Sequence, residues 1–222
     1  MESHEPARKR GLPEWAALGG VAYVALFIIG LLLLFQGSPS GDDSPADFVS
    51  YFGDSGHRDR ISFSWILVGF GLLFFLFFVA SLRQTVSRFD DGILTTLTAL
   101  GGGIYAALAL AAVALDTAVR TMSDDTYQHQ VYPELIHAAD DASYVMHATG
   151  GAALGVMILA ASIAFIRSNV VPKWAGWLGV VVGVLALATI AFLPAIVWLL
   201  WILIVAIVLF WKGGSSREAA ST

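Results

Sequence analysis

Apolar runs about as long as a bilayer is thick recur along this sequence. The first, from Trp15 to Phe35, holds no charged side chain, and about 20 such residues form a helix that crosses the roughly 30 Å hydrocarbon core. Of the 222 residues, 57% are hydrophobic and 13% are charged, whereas soluble domains carry about 25% charged residues. A chain of this length cannot bury so much apolar surface within itself, so lipid must cover part of it.

The pattern predicts an all-α fold, a polytopic membrane helix bundle with six transmembrane helices in one domain, residues 15–211. Pro194 separates the last two spans, because the apolar run that it interrupts is roughly 40 residues long and too extended for one crossing. Residues 1–14 precede the domain, and the Gly- and Ser-rich residues 212–222 are predicted to form a disordered tail. The predicted spans are about 15–35, 61–82, 93–115, 142–166, 174–192 and 195–211.

The distribution of basic side chains predicts the orientation of these spans. With both termini in the cytoplasm, most of the 12 Lys and Arg residues fall on the inner side and most of the 17 acidic residues on the outer side. This is the positive-inside pattern, so we predict cytoplasmic N- and C-termini and a multi-pass protein of the inner (plasma) membrane. The inner basic residues are Arg8, Lys9, Arg10, Arg83, Arg88, Arg167, Lys173, Lys212 and Arg217.

The loop between the first two spans, Gln36 to Arg60, is polar and rich in Gly, Ser, Pro and Asp. Within it, the segment Asp47 to Phe52 (DFVSYF) mixes aromatic and polar side chains. Such a segment is predicted to form a short amphipathic turn that lies on the membrane surface.

The densest group of ionisable side chains near the predicted membrane lies at the start of the fourth helix, in Pro133–Arg167. At about 100° per residue, these side chains share a face with Gly151 and Gly155. Because small residues let membrane helices approach closely, we predict that this face points into the bundle. The group consists of His137, Asp140, Asp141, Tyr144 and His147.

The third helix has a matching face of small residues that ends at Asp116. If the two faces pack, Asp116 lies near His147, which is some 7 Å inside its span. Ionisable groups at such depth are costly and favour a functional interpretation. We therefore treat Asp116, Tyr144 and His147 as candidates for binding a ligand or a proton. The candidates for an outer rim are Arg120, His137, Asp140 and Asp141.

A structural interpretation is open for the same residues. Asp116 can pair with Arg120 one helical turn later, and Tyr144 is an ordinary interfacial tyrosine. Asp140 and Asp141 can simply be solvated.

A metal site would have to be split, because His137 and His147 are about 15 Å apart along one helix. His137 with Asp141 could chelate near the surface, or Asp116 with His147 deeper, with His129 as a conceivable third ligand. Zinc takes three or four protein ligands, so neither pair suffices alone. The sequence assigns no metal and no cofactor.

The segment Arg167 to Gly179 (RSNVVPKWAGWLG) opens the final helical hairpin. It resembles a pattern found in a group of six-span bacterial membrane proteins, common in actinobacteria, whose function is unassigned. The loop SYFGDSGHRDRIS, followed by a Phe- and Leu-rich span that ends at Leu82-Arg83, is similar in placement. The resemblance implies six helices and an inner-membrane location, and it implies no catalytic residue.

Catalytic signatures are missing from the sequence. It has no GxSxG, HExxH, P-loop or dinucleotide motif, and without cysteine it has no disulfide, thiolate ligand or cysteine nucleophile. We therefore favour a non-enzymatic binding, sensing or transport-related protein with a polar entrance on the extracytoplasmic side. The alternatives are a metal-dependent intramembrane hydrolase of lipid-like substrates and a structural partner subunit of another membrane protein. The expected partner is the lipid bilayer, with a second copy or another membrane protein as further candidates, and no nucleic acid.

Overall fold

Helices account for nearly all of the computed structural model, which describes residues 14–90, 92–121, 130–168, 170–188 and 195–221. Within those residues there is no strand, so the all-α prediction is confirmed there. A short 3-10 helix, Glu14–Leu18, leads directly into the first α-helix. The α-helices are α1 (Gly19–Phe35), α2 (Pro45–Gly53), α3 (Ser55–Val86), α4 (Ile93–Thr121), α5 (Pro133–Ser168), α6 (Lys173–Leu187) and α7 (Ala195–Ser221).

Four helical segments are long and apolar enough to cross a membrane, and they contain the first four predicted spans. The apolar helices Lys173–Leu187 and Ile196–Trp211 are shorter. These lengths and the apolar surfaces of the helices indicate a membrane helix bundle. The four long segments are Trp15–Phe35, Ser55–Val86, Ile93–Thr121 and Pro133–Ser168.

Several helices extend beyond the apolar segments that predict them. The helix α3 begins at Ser55 rather than near 61, because the Asp54 side chain caps it by accepting a 3.0 Å hydrogen bond from the His57 backbone N–H. The helix α7 continues to Ser221, through the tail predicted to be disordered, since extending an existing helix costs far less than starting one. Pro194, predicted to separate the last two spans, lies outside the described residues.

The long helices pack in chain order, α1 on α3, α3 on α4, α4 on α5, α5 on α6 and α6 on α7, and α7 returns to α1. Glycines allow the close approaches. A Cβ at Gly155 would lie 2.8 Å from the Gly183 carbonyl oxygen of α6. The expectation that Gly155 packs on the third helix is therefore wrong, because it faces α6. Another glycine, Gly150, contacts Tyr105 of α4 instead.

The helix α2 begins with a capping box, in which Ser44 and Asp47 each accept a hydrogen bond from the other's backbone N–H. Its aromatic side chains Phe48, Tyr51 and Phe52 are buried in the protein. The segment forms the short helix predicted for it, but its aromatic face packs against the rest of the protein, mainly α3 and α5. The Phe52 ring lies 5.3 Å from the Arg120 guanidinium.

Side chains from the start of α3 hold the end of α2. Arg58 donates hydrogen bonds to the carbonyl oxygens of Phe52 (3.0 Å) and Gly53 (2.7 Å). Arg60 donates to the Gln36 carbonyl and the Tyr51 hydroxyl, both at 2.6 Å. Cations suit the carbonyl end of a helix. We call this part of the bundle, formed by residues 36–60, 116–121 and 130–147, the α2 end.

Candidate functional site

Ser143 connects the two deepest predicted site residues, Asp116 of α4 and His147 of α5. Its hydroxyl donates a 2.7 Å hydrogen bond to Asp116 Oδ1, and its backbone carbonyl lies 2.8 Å from His147 Nδ1. The Asp116 side chain is buried, with the residue 6% exposed. The packing of α4 on α5 thus brings Asp116 and His147 to the same serine, as their shared small-residue faces predicted.

The contact with Ser143 determines the tautomer of His147. A carbonyl oxygen can only accept, so Nδ1 must carry the hydrogen. In the neutral ring Nε2 then keeps its lone pair and can accept a hydrogen bond, take a proton or ligate a metal. The structure gives Nε2 no hydrogen bond partner among the described residues.

Arg120 pairs across helices. Its Nη2 donates to Asp140 Oδ1 on α5, and the two side chains form an ion pair. The sequence suggested an i, i+4 ion pair between Arg120 and Asp116. Among the described residues, Arg120 pairs with Asp140 instead. Asp116 already accepts from Ser143, while the Arg120 guanidinium lies over Phe52, which leaves it facing Asp140.

A cavity of about 520 Å³ lies at the α2 end and brings these groups together. One wall is polar and comes from α4 and α5. The other is mainly apolar and comes from α1, the loop 38–41 and Trp65 of α3. The volume is within the range of small-molecule sites, roughly 300–1,000 Å³. The polar wall consists of Asp116, Arg120, Asp140, Ser143, Tyr144 and His147.

Two buried hydrogen bond donors belong to residues that line this cavity. Neither the Trp65 indole Nε1–H nor the Arg120 Nε–H has a partner among the described residues. A buried donor without an acceptor costs about 1–3 kcal/mol. Both nitrogens are closed off by the surrounding packing, so the cavity surface presents the other polar atoms of its wall.

The predicted site residues divide into two groups. Asp116, Arg120, Asp140, Tyr144 and His147 line the cavity. Tyr144 is 49% exposed, and among the described residues its hydroxyl has no hydrogen bond to Asp116 or His147, so it stands at the edge of the site.

The remaining two predicted residues, His137 and Asp141, do not line the cavity. The His137 ring lies 4.7 Å from the Phe48 ring of α2, because α2 covers that part of α5. Asp141 is exposed. Neither residue therefore shares the cavity with Asp116 and His147.

Sequence reasoning missed Ser143, Trp65 and the loop 38–41. Ser143 lies one helical turn before His147, where a small hydroxyl residue can bond to a neighbouring helix. That spacing was the available signal for it. Nothing local predicts Trp65 or the loop, because only the packing of α1 and α3 against α4 and α5 brings them to the site.

The residues Ser143, His147 and Asp116 are the types of a catalytic triad, but their connections differ. In a triad the serine hydroxyl donates to the histidine, and the other histidine nitrogen donates to the carboxylate. Here the serine hydroxyl donates to the carboxylate and the histidine donates to a backbone carbonyl. The arrangement therefore supplies no activated serine.

The described residues contain no group of three or more His, Asp or Glu side chains that could hold a metal ion. His129, the conceivable third ligand, lies outside the described residues. The site is thus a half-polar cavity whose polar wall holds two carboxyl groups, a guanidinium, a serine, a tyrosine and a histidine. Comparison of the chain with protein-family models, with curated proteins and with solved structures finds no significant match in any of the three.

Proposed function

We propose that this chain is a six-span protein of the bacterial inner membrane, with both termini in the cytoplasm and the α2 end facing outward. Four long apolar helices and two shorter ones support six crossings. The excess of Lys and Arg on the other side supports the orientation. The similarity of Arg167–Gly179 to six-span actinobacterial proteins stays a prediction that points the same way.

We propose further that the protein is a non-enzymatic binding, sensing or transport-related module, and that its ligand enters the cavity from the extracytoplasmic side. The cavity of about 520 Å³ with Asp116 and His147 in its polar wall carries this proposal. A ligand that both donates and accepts hydrogen bonds would pair with the polar wall, for example with the Arg120 guanidinium and His147 Nε2. Because it binds the folded protein and not the unfolded chain, such a ligand would stabilise the protein.

The hydrogen-bond pattern of the polar wall favours binding over catalysis. The Ser143 hydroxyl is directed at a carboxylate, so it is not poised as a nucleophile. A metal-dependent hydrolase would need three protein ligands, and the described residues offer no such group. Elemental analysis of the purified full chain checks this point, since a stoichiometric transition metal would favour the hydrolase instead.

The entrance can be tested with single cysteines, because the chain has none of its own. His147→Cys places a thiol in the cavity wall. A membrane-impermeant methanethiosulfonate reagent added to intact cells should modify it, since a thiol in water forms the reactive thiolate.

Val145→Cys is the matched control. Val145 lies at similar depth on the same helix, is 61% exposed and does not line the cavity. In the proposed topology this thiol faces lipid, where thiolate formation is suppressed, so it should react far more slowly. Equal labelling of both thiols, or labelling of His147→Cys only in broken cells, would overturn the proposed entrance.

Binding itself can be tested on the full chain extracted in a mild detergent. Native mass spectrometry of the wild-type protein should show a retained small molecule or lipid. Ser143→Ala and His147→Ala should lose it, and Val145→Ala should keep it. A protein that carries nothing, and whose thermal stability no compound in a panel of zwitterions, polyols and lipids raises, would contradict a binding function.

A further inference from the structure

A second concavity adjoins the polar cavity. It is a groove of about 670 Å³ lined by α1 from Val24 to Gln36 and by α7 from Ile196 to Leu203. All of its lining residues except Gln36 are apolar. Leu31 and Phe35 of α1 line both the groove and the polar cavity. The two concavities therefore adjoin at these two side chains.

The groove exists because α1 and α7 approach closely at one end only. A Cβ on Gly20 would lie 2.8 Å from the Ala206 Cβ, so the helices touch near there. Toward the α2 end larger side chains, such as Ile28 and Leu200, line the gap instead.

The dimensions of the groove match one membrane leaflet. From Val24 to Gln36 the helix rises about 18 Å, and half of the hydrocarbon core is about 15 Å. The polar residue Gln36 marks the end of the groove at the α2 end. In the proposed orientation the groove thus spans the outer leaflet, with its polar end at the outer interface.

We propose that the ligand of the site is a phospholipid of the outer leaflet whose head group carries an ammonium, with one acyl chain in the α1–α7 groove and the head group in the polar cavity. This inference rests on the proposed binding function and names its ligand class. The two concavities adjoin at Leu31 and Phe35, so a single lipid lying across these side chains would reach both.

The charges and hydrogen-bonding groups of the polar wall select the head group. The Arg120 guanidinium in the polar wall suits phosphate oxygens. An ammonium carries three donors and no acceptor, and it matches the lone pair of His147 Nε2 and the carboxylate oxygens of Asp116 and Asp140. The wall holds two carboxyl groups and one guanidinium, so a purely anionic head group is disfavoured.

The test uses the full chain in detergent and palmitoyl lysophospholipids that differ only in the head group. Titration followed by native mass spectrometry should rank ethanolamine above choline, which has no N–H donors, and above glycerol, which leaves the lipid anionic. Glycerophosphoethanolamine, the same head group without a chain, should bind at least about tenfold more weakly than the palmitoyl lipid, a difference of about 1.4 kcal/mol.

Groove-filling variants separate the chain from the head group. Ile28→Trp and Leu200→Trp, on facing helices, should each weaken the palmitoyl lipid by about tenfold and leave glycerophosphoethanolamine unchanged. Leu185→Trp is the control, because Leu185 of α6 is 42% exposed, close to the 43% of Ile28, and lines neither concavity. Two groove variants keep the test valid if one of them fails to fold.

Each other outcome overturns the inference. If filling the groove does not weaken the palmitoyl lipid, or if the choline or glycerol lipid binds as well as the ethanolamine lipid, the lipid assignment is wrong. The proposed binding function then still stands or falls separately, by the cysteine labelling and by the retained ligand of the wild-type protein. No measurable binding of any of these lipids would also refute the lipid assignment.

Discussion

The hydroxyl of Ser143 on α5 donates a 2.7 Å hydrogen bond to the buried carboxyl of Asp116 on α4. The same serine accepts, through its backbone carbonyl, from His147 one turn later. A single residue therefore fixes the position of the carboxyl and the tautomer of the imidazole. Both consequences depend on the register of α4 against α5, which makes this hydrogen bond the point where fold and site meet.

Removing the hydroxyl should destabilise the protein. In Ser143→Ala the Asp116 Oδ1 is left without its donor, and we expect a loss of about 1 kcal/mol in the free energy of unfolding. That figure lies between the average for interhelical hydrogen bonds in membranes, about 0.6 kcal/mol, and the cost of an orphaned buried group, about 1–3 kcal/mol. Thermal unfolding in detergent measures it.

The double variant Ser143→Ala/Asp116→Leu provides the control for that loss. Replacing both partners by apolar groups of similar shape removes the orphaned acceptor, so part of the lost stability should return. A double variant less stable than Ser143→Ala would show that Asp116 stabilises the fold by some other contact.

Arg120 should anchor α2 to the bundle. Its guanidinium lies 5.3 Å from the Phe52 ring centroid and pairs with Asp140, and cation–π contacts contribute about 0.5–2 kcal/mol. Arg120→Ala should therefore speed hydrogen exchange of the backbone amides in residues 45–53, by about tenfold for a local loss of 1.4 kcal/mol.

Two further variants serve as controls for this change in hydrogen exchange. Arg120→Lys keeps the charge but loses the planar guanidinium, so exchange should rise by less than in Arg120→Ala. Arg88→Ala removes an exposed arginine two residues beyond the other end of α3 and should leave the amides of α2 unchanged. If Arg120→Ala also leaves them unchanged, Phe52 and Phe48 hold α2 without help from the arginine.

Local sequence pattern was enough to predict most of the helices. The apolar run 15–35 and the start of the third helix at Ile93 coincide with the structure, because uncharged runs of this length are compatible with little else in a membrane. Helical periodicity likewise grouped Asp116, Asp140, Tyr144 and His147, which line the cavity, together with His137 and Asp141, which do not.

The predictions that failed concerned which helix a residue packs against. The aromatic face of α2 looked suited to lipid, yet Phe48 and Phe52 are buried in the protein. Gly155 of α5 was predicted to pack on α4, the third predicted span, but it packs on α6. Periodicity determines the face of a residue but not the helix opposite that face. The apolar wall of the cavity could not be predicted for the same reason.

Two tyrosine hydroxyls provide a sharper test of packing inside the ring of helices. Tyr23 of α1 and Tyr105 of α4 are buried, and their hydroxyls are hydrogen-bonded to each other. Tyr23→Phe keeps the ring but leaves the Tyr105 hydroxyl alone, so we expect a loss of about 1 kcal/mol. The double variant Tyr23→Phe/Tyr105→Phe should return to within about 0.5 kcal/mol of wild type.

A double-mutant cycle by thermal unfolding decides the matter. Phe75 packs against both rings, with centroids 5.0 and 5.2 Å away, and should keep the phenyl groups in place. Additive losses from the two single changes would mean that the hydroxyls contribute independently, contrary to a paired hydrogen bond.

Two glycines of α4 should respond oppositely to the same substitution. A Cβ at Gly101 would lie 2.5 Å from the Ala153 carbonyl oxygen and 2.7 Å from the Met157 nitrogen. Both atoms belong to the α5 backbone, which cannot yield without moving the helix, so Gly101→Ala should cost about 1–3 kcal/mol.

A Cβ at Gly103 has no neighbour within 4 Å among the described residues, and Gly103→Ala should gain up to about 1 kcal/mol from helix propensity. Unfolding midpoints of the two variants in the same detergent should therefore move in opposite directions from wild type. An unchanged or raised midpoint for Gly101→Ala would mean that α4 and α5 are not in contact at Gly101, and the register that brings Asp116 to Ser143 would then be wrong as well.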